Sequence, residues 1–307
     1  MDELNGVLVA GAINTDLVAR MNRAPVAGET ITGLAVSIHA GGKGGNQVVA
    51  AARSGVSVTI LGAIGADDFG SGRLDDLRAE GIDTGWVSVI KDVPSGVAMI
   101  FIEEGGENRI AYVPGATLLV TPEVGERAMS EVTPRFVLAT NELPRETLSA
   151  LFAQASRNSI PVIFNATPDP ETARPLLEHV DILVVNQGEA YALVDQLDDA
   201  VPEMVIERLQ QLGPDGVVMT LGLEGVIGRY DGHEFRHGSP VVDVVDTTGA
   251  GDTFCGVLVA HLMRGWDLSE AARIGVHAGA LAVTTVGAQS SIPDRHTIRR
   301  FMAAHME

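Results

Sequence analysis

The chain has 307 residues, 46% hydrophobic, 20% charged and only 4% aromatic, which fits a soluble globular protein with an aliphatic core, long enough for one large α/β domain. Acidic residues outnumber basic ones 40 to 21, a formal net charge of −19; that field repels nucleic acid, and any anion site has to work locally, through backbone amides and a metal ion. The one cysteine, Cys255, excludes an intrachain disulfide and points to a reducing, cytoplasmic setting.

Met1-Asp2-Glu3-Leu4 offers no basic segment ahead of an apolar stretch, so no signal peptide is expected. Residues 7–11 form a short apolar run that suits a buried strand. Asn14-Thr15-Asp16 follows just past its carboxyl end, where ligands of open α/β sheets gather. An Asn and an Asp two apart can meet adjacent hydroxyls, or can simply form a polar turn. Residues 16–21 and 31–40 read as strands with no helix between them. The run Gly41-Gly42-Lys43-Gly44-Gly45-Asn46-Gln47 then opens a helix over 46–53. It is not a Walker A loop, because Gly44 follows Lys43 and no Ser or Thr takes the metal-ligand place.

A strand over 58–62 and a helix over 70–80 come next, then a hairpin of strands 97–102 and 109–113 about a turn at 103–108. With 16–21 and 31–40, this hairpin is expected to form a small separate β-sheet. Strands over 136–139, 162–164, 182–185 and 217–221 alternate with helices over 145–157 and 202–212. Apolar strands alternating with helices imply a parallel sheet covered on both faces, a three-layer α/β/α architecture. A final helix is expected over 250–264. Residues 274–293 carry no charge, but His277, Thr284, Thr285 and Gln289 make a poor membrane span and a better buried helix. No repeat or linker is visible, so the chain reads as a single domain, 1–307, with lid strands inserted at about 16–40 and 95–114.

The strongest chemical signal is Asp246-Thr247-Thr248-Gly249-Ala250-Gly251-Asp252-Thr253-Phe254. Glycines before a helix start leave its first amides unpaired, with the positive end of the dipole exposed. That suits the charge developing on a transferred phosphoryl group. Asp252, in the first turn, is placed to accept a proton from an attacking hydroxyl; the alternative is an ordinary helix cap and turn. No Gly-x-Gly pair is completed to Gly-x-Gly-x-x-Gly, so a dinucleotide fingerprint is absent.

These motifs together resemble the ribokinase-like family of carbohydrate and nucleoside kinases. The likeness runs nearly end to end, through Gly11–Asp16, Gly28-Glu29-Thr30, Gly41–Gln47, Asn186-Gln187-Gly188-Glu189, Asp246–Phe254 and Gly287–Pro293. It implies a Rossmann-like three-layer fold with a small β-sheet lid that also commonly forms a homodimer interface. It implies an ATP-dependent sugar kinase, most simply one that converts ribose to ribose 5-phosphate. By the same resemblance Asp252 is the base, and the amides of Gly249, Ala250 and Gly251 form the anion hole. Asn14, Asp16, Gly42, Lys43, Asn46 and Glu142 hold the sugar. Asn186 and Glu189 organise Mg²⁺ through water, with Asn186 also among the ATP contacts. Thr220, Gly222, Gly225 and Gly251 contact the nucleotide, and His277 borders the adenine. Asp246, Thr248, Ala282, Thr285, Gly287 and Ser291 form a monovalent-cation site, usually for K⁺.

The sequence departs from the family pattern at Gln187, Thr117, Gly45, Cys255 and around Asn141-Glu142-Leu143-Pro144. Those positions bear on which sugar is accepted. Deoxyribose, another sugar or a nucleoside remain alternative acceptors, and a silent sugar or nucleotide sensor is the non-enzymatic alternative. Lys43 and Asn46 favour a free sugar, because a nucleoside needs apolar surface for its base.

Overall fold

Val7, Leu8, Val9 and Ala10 are all fully buried, and they divide by parity: Leu8 and Ala10 join one apolar core, Val7 and Val9 another. That is the signature of a central strand covered on both faces. The computed structural model describes residues 6–105, 107–194 and 201–305. The expectation at Met1–Leu4 and Gly106 of the hairpin turn lie outside these residues.

In chain order the elements are β1 (Val7–Ala10), β2 (Asn14–Met21), β3 (Ala35–Gly41), α1 (Lys43–Arg53), β4 (Val58–Gly65), α2 (Asp68–Ala79) and β5 (Asp83–Ile90). There follow β6 (Gly96–Glu103), β7 (Asn108–Val113), α3 (Pro122–Val132), β8 (Phe136–Thr140), α4 (Arg145–Arg157), β9 (Val162–Asn165) and α5 (Pro170–Ala173). Then come β10 (Ile182–Asn186), α6 (Gln187–Leu193), α7 (Pro202–Gln210), β11 (Gly216–Thr220), β12 (Val226–Tyr230) and β13 (His233–His237). The chain closes with α8 (Ala250–Leu262), α9 (Leu268–Ala282), α10 (Ala288–Ser291) and α11 (Arg295–Ala304).

The main sheet has the order β13-β12-β11-β10-β9-β8-β1-β4-β5. From β5 to β11 every pairing is parallel. The last two strands are not: β12 runs antiparallel to β11, and β13 to β12. The expectation of a wholly parallel sheet is corrected there, because two tight turns reverse the chain: Leu221–Gly225, with Gly222 and Gly225 at positive φ, between β11 and β12, and Asp231-Gly232, both at positive φ, between β12 and β13. One face is covered by α3, α4, α6 and α7, the other by α1, α2, α8 and α9.

The four-stranded second sheet has the order β3-β2-β6-β7. Its third and fourth strands form the expected hairpin, while β3 begins only at Ala35, later than residue 31. Cross-strand register puts Asp16, His39, Ala98 and Tyr112 in one row on one face. The opposite face carries Leu17, Ile38 and Met99 in the neighbouring row, with Val36 and Ile38 exposed. The buried helix expected over 274–293 ends at Ala282, where the chain turns through Thr284 and Thr285 before α10. Among the described residues no helix is long and apolar enough to cross a membrane.

Candidate active site

Four neighbouring strands deliver polar residues to one edge: Glu142 follows β8, Asn165 ends β9, Asn186 ends β10 and Thr220 ends β11. Asn14, at the start of β2, reaches the same edge from beyond β1. This is the carboxyl edge of the sheet, where the strand order reverses about β1 and ligand crevices form.

Two of the helices whose amino ends point at this edge, α1 and α8, have no capping side chain of their own. For α1 the need is met from a distance. Glu142 accepts from the amides of Lys43 at 3.2 Å and Gly44 at 3.1 Å, from Ala12 at 2.9 Å and from Thr140 Oγ1 at 2.9 Å. A carboxylate on helix amides is favourable through both hydrogen bonding and the dipole. It also requires the backbones to touch: a Cβ on Gly44 would lie 2.6 Å from Gly11 Cα, and Gly42 sits at φ 84°. Glu142, expected to hold sugar, thus spends most of its accepting capacity on the protein. Burial pushes its carboxyl up in spite of these bonds.

For α8, among the described residues, no side chain plays the part of Glu142. Gly249 takes a left-handed φ of 77° as N-cap, and a side chain on Gly251 would meet open space. The Ala250 amide makes a long 3.3 Å turn bond to Thr247; the following first-turn amides have no helical acceptor. An open, positively polarised helix end is an anion site in waiting.

Asp252, in that first turn, is 7% exposed. Its Oδ2 accepts from Asn46 Nδ2 at 2.8 Å and its Oδ1 from Gln47 Nε2 at 3.0 Å. Burial raises its pKa, with Lys43, Asn46 and Gln47 opposing. Burial works against the Lys43 ammonium, but Asp252, Glu142 and Glu189 outweigh it and hold Lys43 above the usual lysine value. Asp16 is raised to about 6, chiefly by burial, with Arg73 opposing and Glu142 and Asp252 adding.

Among the described residues Asn14 Oδ1 and Asn46 Oδ1 are buried without a hydrogen-bond partner. Buried polar atoms left unpaired are costly, so these two, one on the strand of Asp16 and one on a side chain bonded to Asp252, describe a site that wants hydroxyl donors. The Tyr112 hydroxyl interacts with Asn14 and Thr117 from the second sheet.

Lys43, Asn165, Asn186, Glu189, Gly249, Gly251 and Asp252 line one polar cavity of about 240 Å³. An apolar cavity of about 260 Å³ adjoins it, lined by Gly222, Gly225, Val244, Ala250, Val276 and Val283 among others. The two share Thr220, Thr247, Gly251 and Phe254. His277 stands apart from this lining: its Nδ1 faces the Arg273 carbonyl at 2.8 Å and its ring packs on Phe301. Cys255 is buried at the polar cavity, and burial raises its thiol well above the ordinary range.

Asn186 and Glu189 form a reciprocal capping box at the start of α6, with bonds of 2.9 and 2.8 Å. Among the described residues no group of three or more His, Cys, Asp or Glu could hold a metal. One carboxylate beside a polar cavity nevertheless fits Mg²⁺, which keeps most of its waters and takes few protein ligands. Of the residues expected at a monovalent cation, Asp246 bonds Thr248 and Gly287. Its Oδ1 accepts from Thr248 N at 2.9 Å and Thr248 Oγ1 at 2.6 Å, and its Oδ2 from Gly287 N at 2.8 Å. Thr285 N donates to the Ala282 carbonyl at 3.1 Å, and Ser291 Oγ to Ala288 O at 2.9 Å. A carboxylate beside the carbonyl-rich end of α9 suits a monovalent cation.

Residues that the sequence left without a role are Gln47, Asn165, Arg73 and Tyr112. Asn165 carried a signal, a polar residue at the carboxyl end of an apolar strand. Tyr112 carried none, since only the strand register brings it over the site.

A family model described as pfkB family carbohydrate kinase matches residues 5–295. The ribokinase of Bacillus subtilis is 33% identical over 301 residues, covering 98% of this chain and all of the relative. A deoxyribokinase of Salmonella typhi is 29% identical over 301 residues, covering 97% of this chain and 98% of the relative. The structure of Arabidopsis thaliana ribokinase complexed with ribose and ATP superposes with a TM-score of 0.90 at 26% identity, covering 97% of this chain and 99% of the other.

Proposed function

This chain belongs to the pfkB family of carbohydrate kinases, and from that premise we propose that it transfers the γ-phosphoryl group of ATP to the terminal hydroxyl of ribose. The products are ribose 5-phosphate and ADP. The observation that carries the reading is the pairing of Asp252 with an uncapped α8 amino end beside a polar cavity.

Asn14, Asp16, Lys43 and Asn46 hold the sugar, with the orphaned Asn14 Oδ1 and Asn46 Oδ1 accepting from its hydroxyls. The sugar's terminal oxygen lies at Asp252, which receives its proton as the new O–P bond forms and the bond to the β-phosphate oxygen breaks. The open amides at Gly251 and its neighbours stabilise the charge on the transferring group. Gly222, Gly225, Val244 and Val276 give the adenine an apolar slot in the adjoining cavity. Asn186 and Glu189 would hold Mg²⁺ through water, where it neutralises phosphate charge. The loop of Asp246, Thr248, Ala282, Thr285, Gly287 and Ser291 would hold K⁺, shaping the anion hole without touching the substrate. The second sheet acts as a lid that excludes water from the site. Its outer face, with Val36 and Ile38 exposed, is the surface on which a second copy docks. The buried thiol and the lack of disulfides suit the cytoplasm.

Deoxyribose is the competing acceptor, favoured by the deoxyribokinase relative. A site built to pair several hydroxyls leaves a buried partner unpaired when one is missing, a cost of about 1–3 kcal/mol. Ribose should therefore exceed 2-deoxyribose by roughly ten- to a hundredfold in kcat/KM. A panel of ribose, deoxyribose, fructose, ribulose and nucleosides at saturating ATP tests this. Deoxyribose equal to or better than ribose would overturn the ribose assignment.

A further inference from the structure

Gln47 is fully buried and touches Asp252, yet the chemistry above gives it no part. Its Nε2 donates to Asp252 Oδ1 at 3.0 Å and to Asn165 Oδ1 at 2.9 Å. Asn165, itself 7% exposed, donates through Nδ2 to the Val184 carbonyl of β10 at 3.1 Å. A main-chain carbonyl can only accept. It therefore fixes which end of the Asn165 amide faces it, and the Asn165 oxygen has to point at Gln47. Gln47 in turn presents both amide hydrogens, one to Asn165 and one to Asp252. The polarity of the whole chain is set by the sheet backbone and runs one way, ending on the carboxylate.

We propose that Gln47 and Asn165 are positioning residues that lock the Asp252 carboxylate in an accepting orientation, using the backbone of β10 as the reference. The inference rests on the kinase reading of Asp252. With Asn46 on Oδ2 and Gln47 on Oδ1, one acceptor direction of each oxygen is filled. The incoming hydroxyl proton is thereby confined to the directions that remain. Neutral amides suit the task. A second cation would hold the carboxylate as firmly but would drain the basicity that it needs.

The other charges facing Asp252 come from separate elements. Lys43 of α1 favours the ionised form, Asp16 of β2 and Glu142 beyond β8 oppose it, and Glu189 of α6 adds negative charge across the polar cavity. Cys255, one turn along α8, is neutral. The side chains from β9 and α1 that meet the carboxylate network, Asn165, Asn46 and Gln47, are uncharged.

The test is a pH titration of the Asp252 carboxyl carbon by NMR on the full chain without ligands, assigned by the signal lost in Asp252→Asn. It is paired with the pH profile of kcat/KM for ribose. Gln47→Leu removes a hydrogen bond to a charged group, so both the midpoint and the acid limb should rise by about one to two pH units. Asn165→Leu should shift them in the same direction by less, although Asn165 makes no hydrogen bond to Asp252. Freed from its reference, the Gln47 amide can turn its oxygen toward a protonated carboxyl. A side chain that merely fills the core would lower kcat at every pH and leave the midpoint in place. Unmoved midpoints in folded variants overturn the lock, and Asn165→Leu alone decides the matter if Gln47→Leu does not fold. A wild type inert toward every sugar would sink the kinase reading instead, and the titration would still judge the lock.

Discussion

Gly256 lies where α8 crosses α1, on the same helix as Asp252 and one turn further along. A Cβ there would lie 2.5 Å from Ala50 Cβ and 2.8 Å from Ala51 N, and would press on the Gln47 carbonyl oxygen. None of these atoms is the end of a flexible side chain, so Gly256→Ala has to part the helices by about 1 Å to restore ordinary contact. Overpacking of this kind costs about 1–3 kcal/mol, offset by the roughly 1 kcal/mol that alanine gains over glycine within a helix. Melting should therefore fall by only a few degrees. Catalysis should suffer far more, because the same displacement carries Asn46 and Gln47 away from Asp252, stretching bonds that are now 2.8 and 3.0 Å. A misplacement of about 1 Å costs on the order of a hundredfold in rate. Thermal unfolding and steady-state kinetics on one preparation give both numbers. Wild-type kcat in Gly256→Ala would refute the idea that this crossing sets the geometry of the site.

Because burial raises Asp16 to about 6, its carboxylate is lost as pH falls through that value. Sugar KM should accordingly rise between pH 7 and 5, and Asp16→Asn should flatten the dependence; a KM constant over that range would contradict the role. Tyr112→Phe should raise sugar KM severalfold with kcat unchanged, since the hydroxyl lies against Asn14 and Thr117 rather than Asp252; an equal fall in kcat would place it in the chemistry. Potassium should raise activity over sodium at fixed magnesium if the Asp246 loop holds a cation, and equal rates in both salts would count against that loop.

Elements whose apolar period is strong were legible in the sequence. The strands over 58–62, 136–139 and 162–164 and the helix over 145–157 all stand where periodicity put them. The antiparallel edge was not legible because His233-Glu234-Phe235-Arg236-His237 is too polar and too short to read as a strand, although Asp231-Gly232 announced a hairpin. β5 escaped for a similar reason: it is an edge strand of mixed burial, with no continuous apolar run. At the site, glycine-rich helix starts marked both anion-facing ends. Which end was already filled depended on Glu142, nearly a hundred residues away from α1 in the chain, and only the fold could disclose that contact. The orientation of Gln47 was likewise invisible, since it follows from a β10 carbonyl.

The central claim is that Asp252 takes the proton from a sugar hydroxyl during transfer from ATP. Its most direct test is ribose-dependent ADP formation by wild type and Asp252→Asn, with ribose and ATP binding measured calorimetrically on both. The amide keeps the shape of the carboxylate but cannot accept the proton, so turnover should drop about a hundredfold or more while both ligands still bind. Near wild-type turnover in Asp252→Asn would contradict the account.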